Sequence, residues 1–240
     1  MISVIVPVLN EISNLDELIV RTEKVLAPYK SFEIIFIDDG STDGTREKLI
    51  NICKSSNNCK AIFFDRNYGH QMALLAGFKN SKGDIIVTID GDLSDPPEII
   101  EHLLNINSQG YDVVNTVRIK RENEKLWRII FIKLFYFLCD LFKLGLINDS
   151  GDFRLMNRKT LNLLINTPYR KFFVRALVPS INVKQFTLKY NRKPRSSGIP
   201  KGNFIWLCIF GIDCCIGLKI FPKFFSFTSD SYKIEKKILN

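Results

Sequence analysis

The chain is poor in residues that build soft-metal or cross-linked sites. Its six cysteines are Cys53, Cys59, Cys139, Cys208, Cys214 and Cys215, and none forms a C-x-x-C pair. Only His70 and His102 could join them. This set argues against a zinc site and a secreted disulfide framework, and points to a reducing compartment. There is no repeat and no low-complexity tract. Met1-Ile2-Ser3-Val4-Ile5-Val6 lacks a basic n-region and a cleavage site, so it reads as a strand and not a signal peptide. G-x-G-x-x-G and G-x-x-x-x-G-K-[ST] are both absent, which excludes the usual glycine-rich phosphate cradles. Nor is there an unbroken apolar run of the roughly 20 residues that a spanning helix needs. Ile129–Ile147 contains Lys133, Asp140 and Lys143, and Phe204–Phe221 contains Asp213 and Lys219. Both read as interfacial or buried helices.

What is present is a polarised chain with one good core. Its 240 residues are 46% hydrophobic and 25% charged, which excludes disorder as the dominant state. The net charge of +9 conceals two halves. Residues 1–115 carry 10 Lys and Arg against 17 Asp and Glu; residues 116–240 carry 24 against 8. The acidic half suits a cation, and the basic half suits phosphates or an anionic membrane face.

The acidic half alternates short β-branched runs with helical spacing. Strands are expected at Ile2–Val6, Phe32–Ile37, Ala61–Phe64, Asp84–Ile89 and Tyr111–Thr116. Helices are expected at Ser13–Leu26, Asp43–Cys53, Gln71–Phe78 and Pro96–Leu104. This alternation predicts βαβ units and a mostly parallel α/β sheet flanked by helices. Ligands of such sheets bind beyond the carboxyl ends of the strands. In the basic half the pattern predicts a long amphipathic helix from about Glu124 to Leu144 and a loop over Asn148–Gly151. It then predicts a strand over Phe153–Met156, a helix over Arg158–Ile165, a strand over Val183–Tyr190 and a loosely held polar tail over Ser226–Asn240.

Polar residues gather after the strands. Asp90-Gly91-Asp92 ends the fourth, placing two carboxylates where one hard cation, Mg²⁺ or Mn²⁺, can meet both. Asp38 and Asp39 end the second, in Asp-Asp-Gly-Ser-Thr-Asp-Gly-Thr. A capped turn accounts for Gly40, Ser41 and Asp43 but not for two adjacent acids leaving a buried strand. Such acids can accept hydrogen bonds from a nucleobase or ribose. Pro7-Val8-Leu9-Asn10-Glu11 ends the first.

Taken together, PVLNE, DDGSTDGT, RNYGHQMAL, DGDLSDPPE and SGDFRLMNR resemble, in order, the motifs of the family 2 inverting glycosyltransferases of the GT-A fold. RNYGHQ, DPPE and GDFRL are similar to the branch of dolichyl-phosphate mannose synthases and bacterial polyprenyl-phosphate sugar transferases. The resemblance spans about residues 1–202, taken as the catalytic domain; residues 203–240 are taken as an interface helix and tail. It implies that Pro7, Asn10, Glu11, Asp38 and Asp39 hold the nucleoside of a nucleotide-sugar. Asp90 would orient the sugar or ribose, and Asp92 would bind the metal on the diphosphate. Ser94 stands where the family often has Gln, so Asp95 or water is expected to assist. Arg118 and Arg128, with Arg121 beside them, are expected to meet the acceptor phosphate. Asp152 is expected near the sugar and acceptor, positioning more than deprotonating. Arg195 and Lys201 belong to the basic loop 192–202, a candidate lid over the donor. His70 and Gln71 read as a helix start with supporting roles at most.

Many bacterial members of that branch continue into two transmembrane helices; here Phe204–Phe221 is expected to anchor peripherally on the cytoplasmic face of the membrane. A saccharide hydroxyl as acceptor stays open, as does a non-catalytic binding domain. Acidic strand ends oppose a nucleic-acid partner. Nucleotide, sugar and oligomeric state are not legible.

Overall fold

The computed structural model describes residues 1–119, 150–166, 172–192 and 232–239. The long amphipathic helix, the segment Phe204–Phe221, and Arg121, Arg128, Arg195 and Lys201 all lie outside the described residues.

Eight strands form one sheet. They are β1 (Ile2–Val8), β2 (Phe32–Asp38), β3 (Cys59–Phe64), β4 (Ile85–Thr88), β5 (Val113–Arg118), β6 (Ser150–Asn157), β7 (Gln185–Tyr190) and β8 (Ile234–Ile238). Their order is β7-β5-β6-β4-β1-β2-β3-β8. The pairs β1–β2, β1–β4, β2–β3 and β5–β7 are parallel; β6 runs antiparallel between β4 and β5, and β8 antiparallel along β3. The expected mostly parallel α/β architecture is what the chain adopts.

The helices are α1 (Leu15–Leu26), α2 (Thr45–Ser55), α3 (His70–Asn80), α4 (Ile99–Ser108), α5 (Arg158–Asn166) and α6 (Val174–Ser180). They cover both faces. Leu15, Leu18, Leu49 and Leu103 pack with Val4, Val6, Ile34 and Phe36 on one side. Leu74, Leu75, Phe78, Leu161 and Leu177 pack with Ile5, Ile35 and Ile37 on the other. Strands sandwiched this way must be apolar on both faces, hence the continuous Val/Ile runs. Each such side chain contributes about 1.5–3 kcal/mol on burial.

Three boundaries move. Pro96 and Pro97 precede α4 instead of opening it, because their carbonyls accept the Ile99 and Ile100 N–H groups in a tight turn. The strand expected at Phe153–Met156 begins at Ser150, so Gly151 and Asp152 lie in the sheet and not in a loop. The described part of the tail, 232–239, is not loose: Ile234 packs on one core cluster and Ile238 on the other across a register shift, and Tyr232 stacks on Phe64 with ring centroids 5.0 Å apart. Residues 232–239 therefore belong to the same sheet as β1–β7. Among the described residues no helix is long and apolar enough to cross a membrane.

Candidate functional site

Strand order reverses at β1, whose neighbours are β2 on one side and β4 on the other. A crevice opens beyond the carboxyl ends of strands at such a reversal. The loops after β1, β2, β3 and β4 meet there, and two glycines let them touch. A Cβ on Gly40 (φ 78°) would fall 2.6 Å from the Arg66 carbonyl carbon, and one on Gly91 would fall 2.8 Å from the Val8 side chain.

The first two loops form one hydrogen-bonded unit. Asn10, at φ 56°, donates its N–H to Ser41 Oγ (2.9 Å) and accepts the Thr42 N–H on Oδ1 (2.8 Å). The Glu11 N–H donates to Thr45 Oγ1 (2.9 Å), and Glu11 Oε2 accepts from Asn14 Nδ2 (2.6 Å). Asp38 is fully buried; its carboxylate accepts the Ser41 N–H (3.0 Å) and Arg46 Nε (3.1 Å). Asp39 accepts the N–H groups of Tyr68 (2.7 Å) and Gly69 (3.0 Å), steering the loop into α3. Burial pushes its carboxyl up to about 6, against those two bonds. Both acids thus brace the crevice wall from inside.

The loop after β4 makes an acidic rim. Leu93, at φ 56°, turns the chain so that Asp90, Asp92 and Asp95 face the same cation, the Arg192 guanidinium. Arg192 Nε donates to Asp95 Oδ1 at 2.9 Å; Nη2 lies 3.4 Å from Asp90 Oδ2 and 3.8 Å from Asp92 Oδ2. The Tyr190 hydroxyl donates to the same Asp95 oxygen. Asp92 accepts the Ser94 N–H at 3.0 Å. Among the described residues, Asp95 Oδ2 and Ser94 Oγ are buried without a hydrogen-bond partner. Burial raises the Asp90 carboxyl above its usual range, reinforced by Asp95 and Asp92 although His70 and Arg192 oppose it.

An all-oxygen rim with an orphaned buried carboxylate oxygen fits a hard divalent cation. Among the described residues no three His, Cys, Asp or Glu side chains close into a complete metal cage. The rim therefore suits a cation whose shell is completed by substrate phosphates and water.

Facing the rim, Asp152 sits at the start of β6, buried and heavily engaged. Arg175 of α6 clamps it through two bonds, Nε to Oδ1 at 3.0 Å and Nη2 to Oδ2 at 2.8 Å. Gln71 Nε2 and His70 Nε2 each lie 3.3 Å from Oδ2, and Arg154 Nη2 lies 3.8 Å from Oδ1. Burial alone would raise this carboxyl, but Arg175 and His70 override it and hold it well below the usual carboxylate range. His70 also comes within 3.7 Å of Asp90 and so bridges the two acids. Burial lowers its pKa, but Asp152 and Asp90 outweigh that and raise it. Arg118, at the end of β5, lies over Gly151, where an added Cβ would stand 3.0 Å from Nη2. Its Nε is buried without a hydrogen-bond partner, and its guanidinium neighbours the Tyr190 hydroxyl.

The structure thus brings Pro7, Asn10, Glu11, Asp38, Asp39, Asp90, Asp92, Asp152 and Arg118 to one end of the sheet. His70 does more than begin a helix, since it touches two of these acids. Arg192 lies on the acidic rim itself. Arg175 carries no motif signal at all, and only the fold brings it to Asp152.

Comparison with known proteins agrees with this arrangement. The profile of Glycosyl transferase family 2 matches residues 3–178. An uncharacterized glycosyltransferase of Synechocystis sp. is 34% identical over 92% of this chain and 70% of its own length. The undecaprenyl-phosphate 4-deoxy-4-formamido-L-arabinose transferase of Pseudomonas aeruginosa is 42% identical over 53% of this chain, but that match spans only 38% of the relative. The fold is that of glucosyl-3-phosphoglycerate synthase from Mycobacterium tuberculosis, solved in complex with Mn²⁺, UDP and phosphoglyceric acid. The TM-score is 0.63 at 20% identity, covering 89% of this chain and 74% of that one. With a parallel sheet, an acidic rim at its switch point and a family profile over most of its length, the chain belongs to glycosyl transferase family 2, as a glycosyltransferase of the GT-A fold.

Proposed function

We propose that the chain transfers a sugar from a nucleotide-sugar to a polyprenyl phosphate, with inversion at the anomeric carbon. The observation that carries this reading is the clamp on Asp152. A carboxylate gripped by Arg175 and His70, and held well below its usual pKa, is a poor general base. A saccharide hydroxyl needs a base at the moment of attack. A phosphate acceptor is already an anion and needs none. The Pseudomonas relative, whose name specifies an undecaprenyl-phosphate acceptor, supports the same choice.

The residues then divide the work. Pro7, Asn10 and Glu11 shape the nucleoside end of the crevice, and Asp38 and Asp39 act on the nucleoside from beneath by fixing the loops that meet it. Asp92, with Asp90 and Asp95 beside it, is the holder of Mg²⁺ or Mn²⁺, which when bound neutralises the departing diphosphate. Asp152 and His70 orient the sugar between the rim and β6. Arg118 receives the acceptor phosphate, with Arg128 from outside the described residues. A phosphate oxygen attacks the anomeric carbon opposite the diphosphate and forms a new C–O bond. The old C–O bond breaks, and the nucleoside diphosphate leaves with its electron pair. No proton has to move. Arg195 and Lys201, outside the described residues, are assigned to the donor diphosphate, and that half of the chain docks peripherally on an anionic membrane face.

The test is a panel of radiolabelled UDP-glucose, UDP-GlcNAc, GDP-mannose and UDP-galactose offered with undecaprenyl phosphate. Label from one donor should enter the organic phase. Label appearing only in a water-soluble saccharide would transfer the assignment to a hydroxyl acceptor.

A further inference from the structure

Arg192 occupies an unusual position for a residue next to a basic loop. Its guanidinium is largely buried, with a side chain 19% exposed, and faces three carboxylates at once. The three contacts are unequal. Nε is firmly bonded to Asp95 at 2.9 Å, whereas Nη2 stands back from Asp90 and Asp92 at 3.4 and 3.8 Å. Asp95 is itself fixed by the Tyr190 hydroxyl, two residues before Arg192, at the end of β7. One end of the guanidinium is therefore anchored, and the other rests loosely on the oxygens a divalent cation would need.

Resting on the reading of Asp92 as a cation holder, we propose that Arg192 is the resident counter-cation of the acidic rim. A divalent cation displaces it from Asp90 and Asp92, and the freed guanidinium then turns to the donor diphosphate. Without such a charge the three neighbouring acids would repel one another in a buried loop. Arg192 lets the loop hold its shape before the donor arrives. Its planar fork matches a diphosphate better than it matches carboxylates more than 3 Å away. Pivoting about Asp95 moves it from one to the other without breaking its strongest bond. Metal and nucleoside diphosphate then help one another bind, because the metal releases the arginine and the diphosphate captures it.

The experiment is Mn²⁺ titration by calorimetry on the full chain without nucleotide, with thermal melts in parallel, for wild type, Arg192→Gln and Arg192→Lys. Arg192→Gln should bind Mn²⁺ at least about tenfold tighter than wild type, because a charge that opposes the metal at close range is gone. Mn²⁺ should lift its melting temperature further, and the gain in UDP affinity that Mn²⁺ confers should shrink. Arg192→Lys, which keeps the charge without the fork, should fall between. It decides the matter in the same direction should Arg192→Gln not melt cooperatively. Equal or weaker Mn²⁺ binding in the variants overturns the displacement while leaving the cation site intact. No Mn²⁺ binding by any of the three, alone or with UDP, overturns the cation site and the displacement together.

Discussion

The two walls of the crevice are built by different means. The donor wall, from the loops after β1, β2 and β3, is held mainly by side chains that accept backbone N–H groups. Ser41 and Thr45 accept the Asn10 and Glu11 N–H groups, Asn10 accepts that of Thr42, and Gly40 removes the side chain that would keep two loops apart. The opposite wall, from β6, α6 and the end of β7, is held by ion pairs between side chains. Asp152 meets Arg175 and His70, and Asp90 meets Arg192, 102 residues away. The first kind of wall is knit mainly through backbone N–H groups. The second stores opposite charges that a charged substrate can rearrange.

The largest effect should come from the rim where the walls meet. Asp92→Ala should lower kcat by about 10²–10³, the scale of losing one preorganised electrostatic contact to developing charge. Asp92 is buried, but the melting temperature should change little, since the lost bond to the Ser94 N–H is offset by relief of repulsion from Asp90 and Asp95. Wild type treated with EDTA should fall to the same level. Undiminished transfer in EDTA would remove the cation from the site.

Next is the clamp on Asp152. Arg175→Ala leaves a buried carboxylate short of its main partner, which costs about 1–3 kcal/mol of stability near pH 7. The pH dependence has a definite sign. The folded-state pKa of Asp152 is depressed, so its contribution is present above the unfolded value of about 3.9 and disappears only as pH falls through the lower folded value. In Arg175→Ala the carboxyl rises back toward its ordinary value. Urea melts from pH 7 to pH 3 should therefore show the variant losing stability at a higher pH than wild type. Parallel curves would mean that Arg175 is not what holds Asp152 ionised.

These two walls also explain what was legible beforehand. The donor wall and the rim are written in contiguous residues, so Asp38-Asp39-Gly40 and Asp90-Gly91-Asp92 can be placed at strand ends from hydrophobic periodicity alone. Arg175 could not be found, because nothing within its helix marks it; its role exists only once α6 is folded against β6. His70 was legible as a helix start and illegible as a bridge for the same reason. The tail failed differently. Lys233, Glu235, Lys236 and Lys237 read as solvent-loving, and they are, yet an edge strand needs only Tyr232, Ile234 and Ile238 facing inward. Charged residues on such an edge discourage pairing with other chains.

A third effect tests the acceptor side. Arg118 has a buried Nε without a hydrogen-bond partner and a guanidinium over Gly151. Losing a charge-assisted bond to a phosphate costs about 1.5–3 kcal/mol. Arg118→Ala should accordingly raise the polyprenyl-phosphate KM by about tenfold or more while leaving the donor Kd unchanged. A change confined to donor affinity would move Arg118 to the other wall.

The smallest effect should appear where the tail touches the donor wall. Arg46 donates from Nε to the buried Asp38 and from Nη1 to Glu235 of β8 at 2.7 Å, and its Nη2 reaches the Phe64 carbonyl. A chain of contacts thus runs from the last strand to an acid beneath the nucleoside end of the crevice. The two links differ in worth. Asp38 is fully buried, so its partner guanidinium is hard to replace by water. Glu235 is 53% exposed, and such surface pairs contribute only about 0–1 kcal/mol. Glu235→Gln should then change UDP affinity by less than about threefold, since Arg46 keeps its other two bonds. Arg46→Gln should weaken UDP binding more, because Asp38 is left buried without its guanidinium and its carboxylate can turn. Calorimetric titration of both variants with UDP ranks the two links. A Glu235 variant as impaired as the Arg46 variant would show that β8, through its grip on Arg46, belongs to the donor wall itself rather than merely lying along the edge beside it.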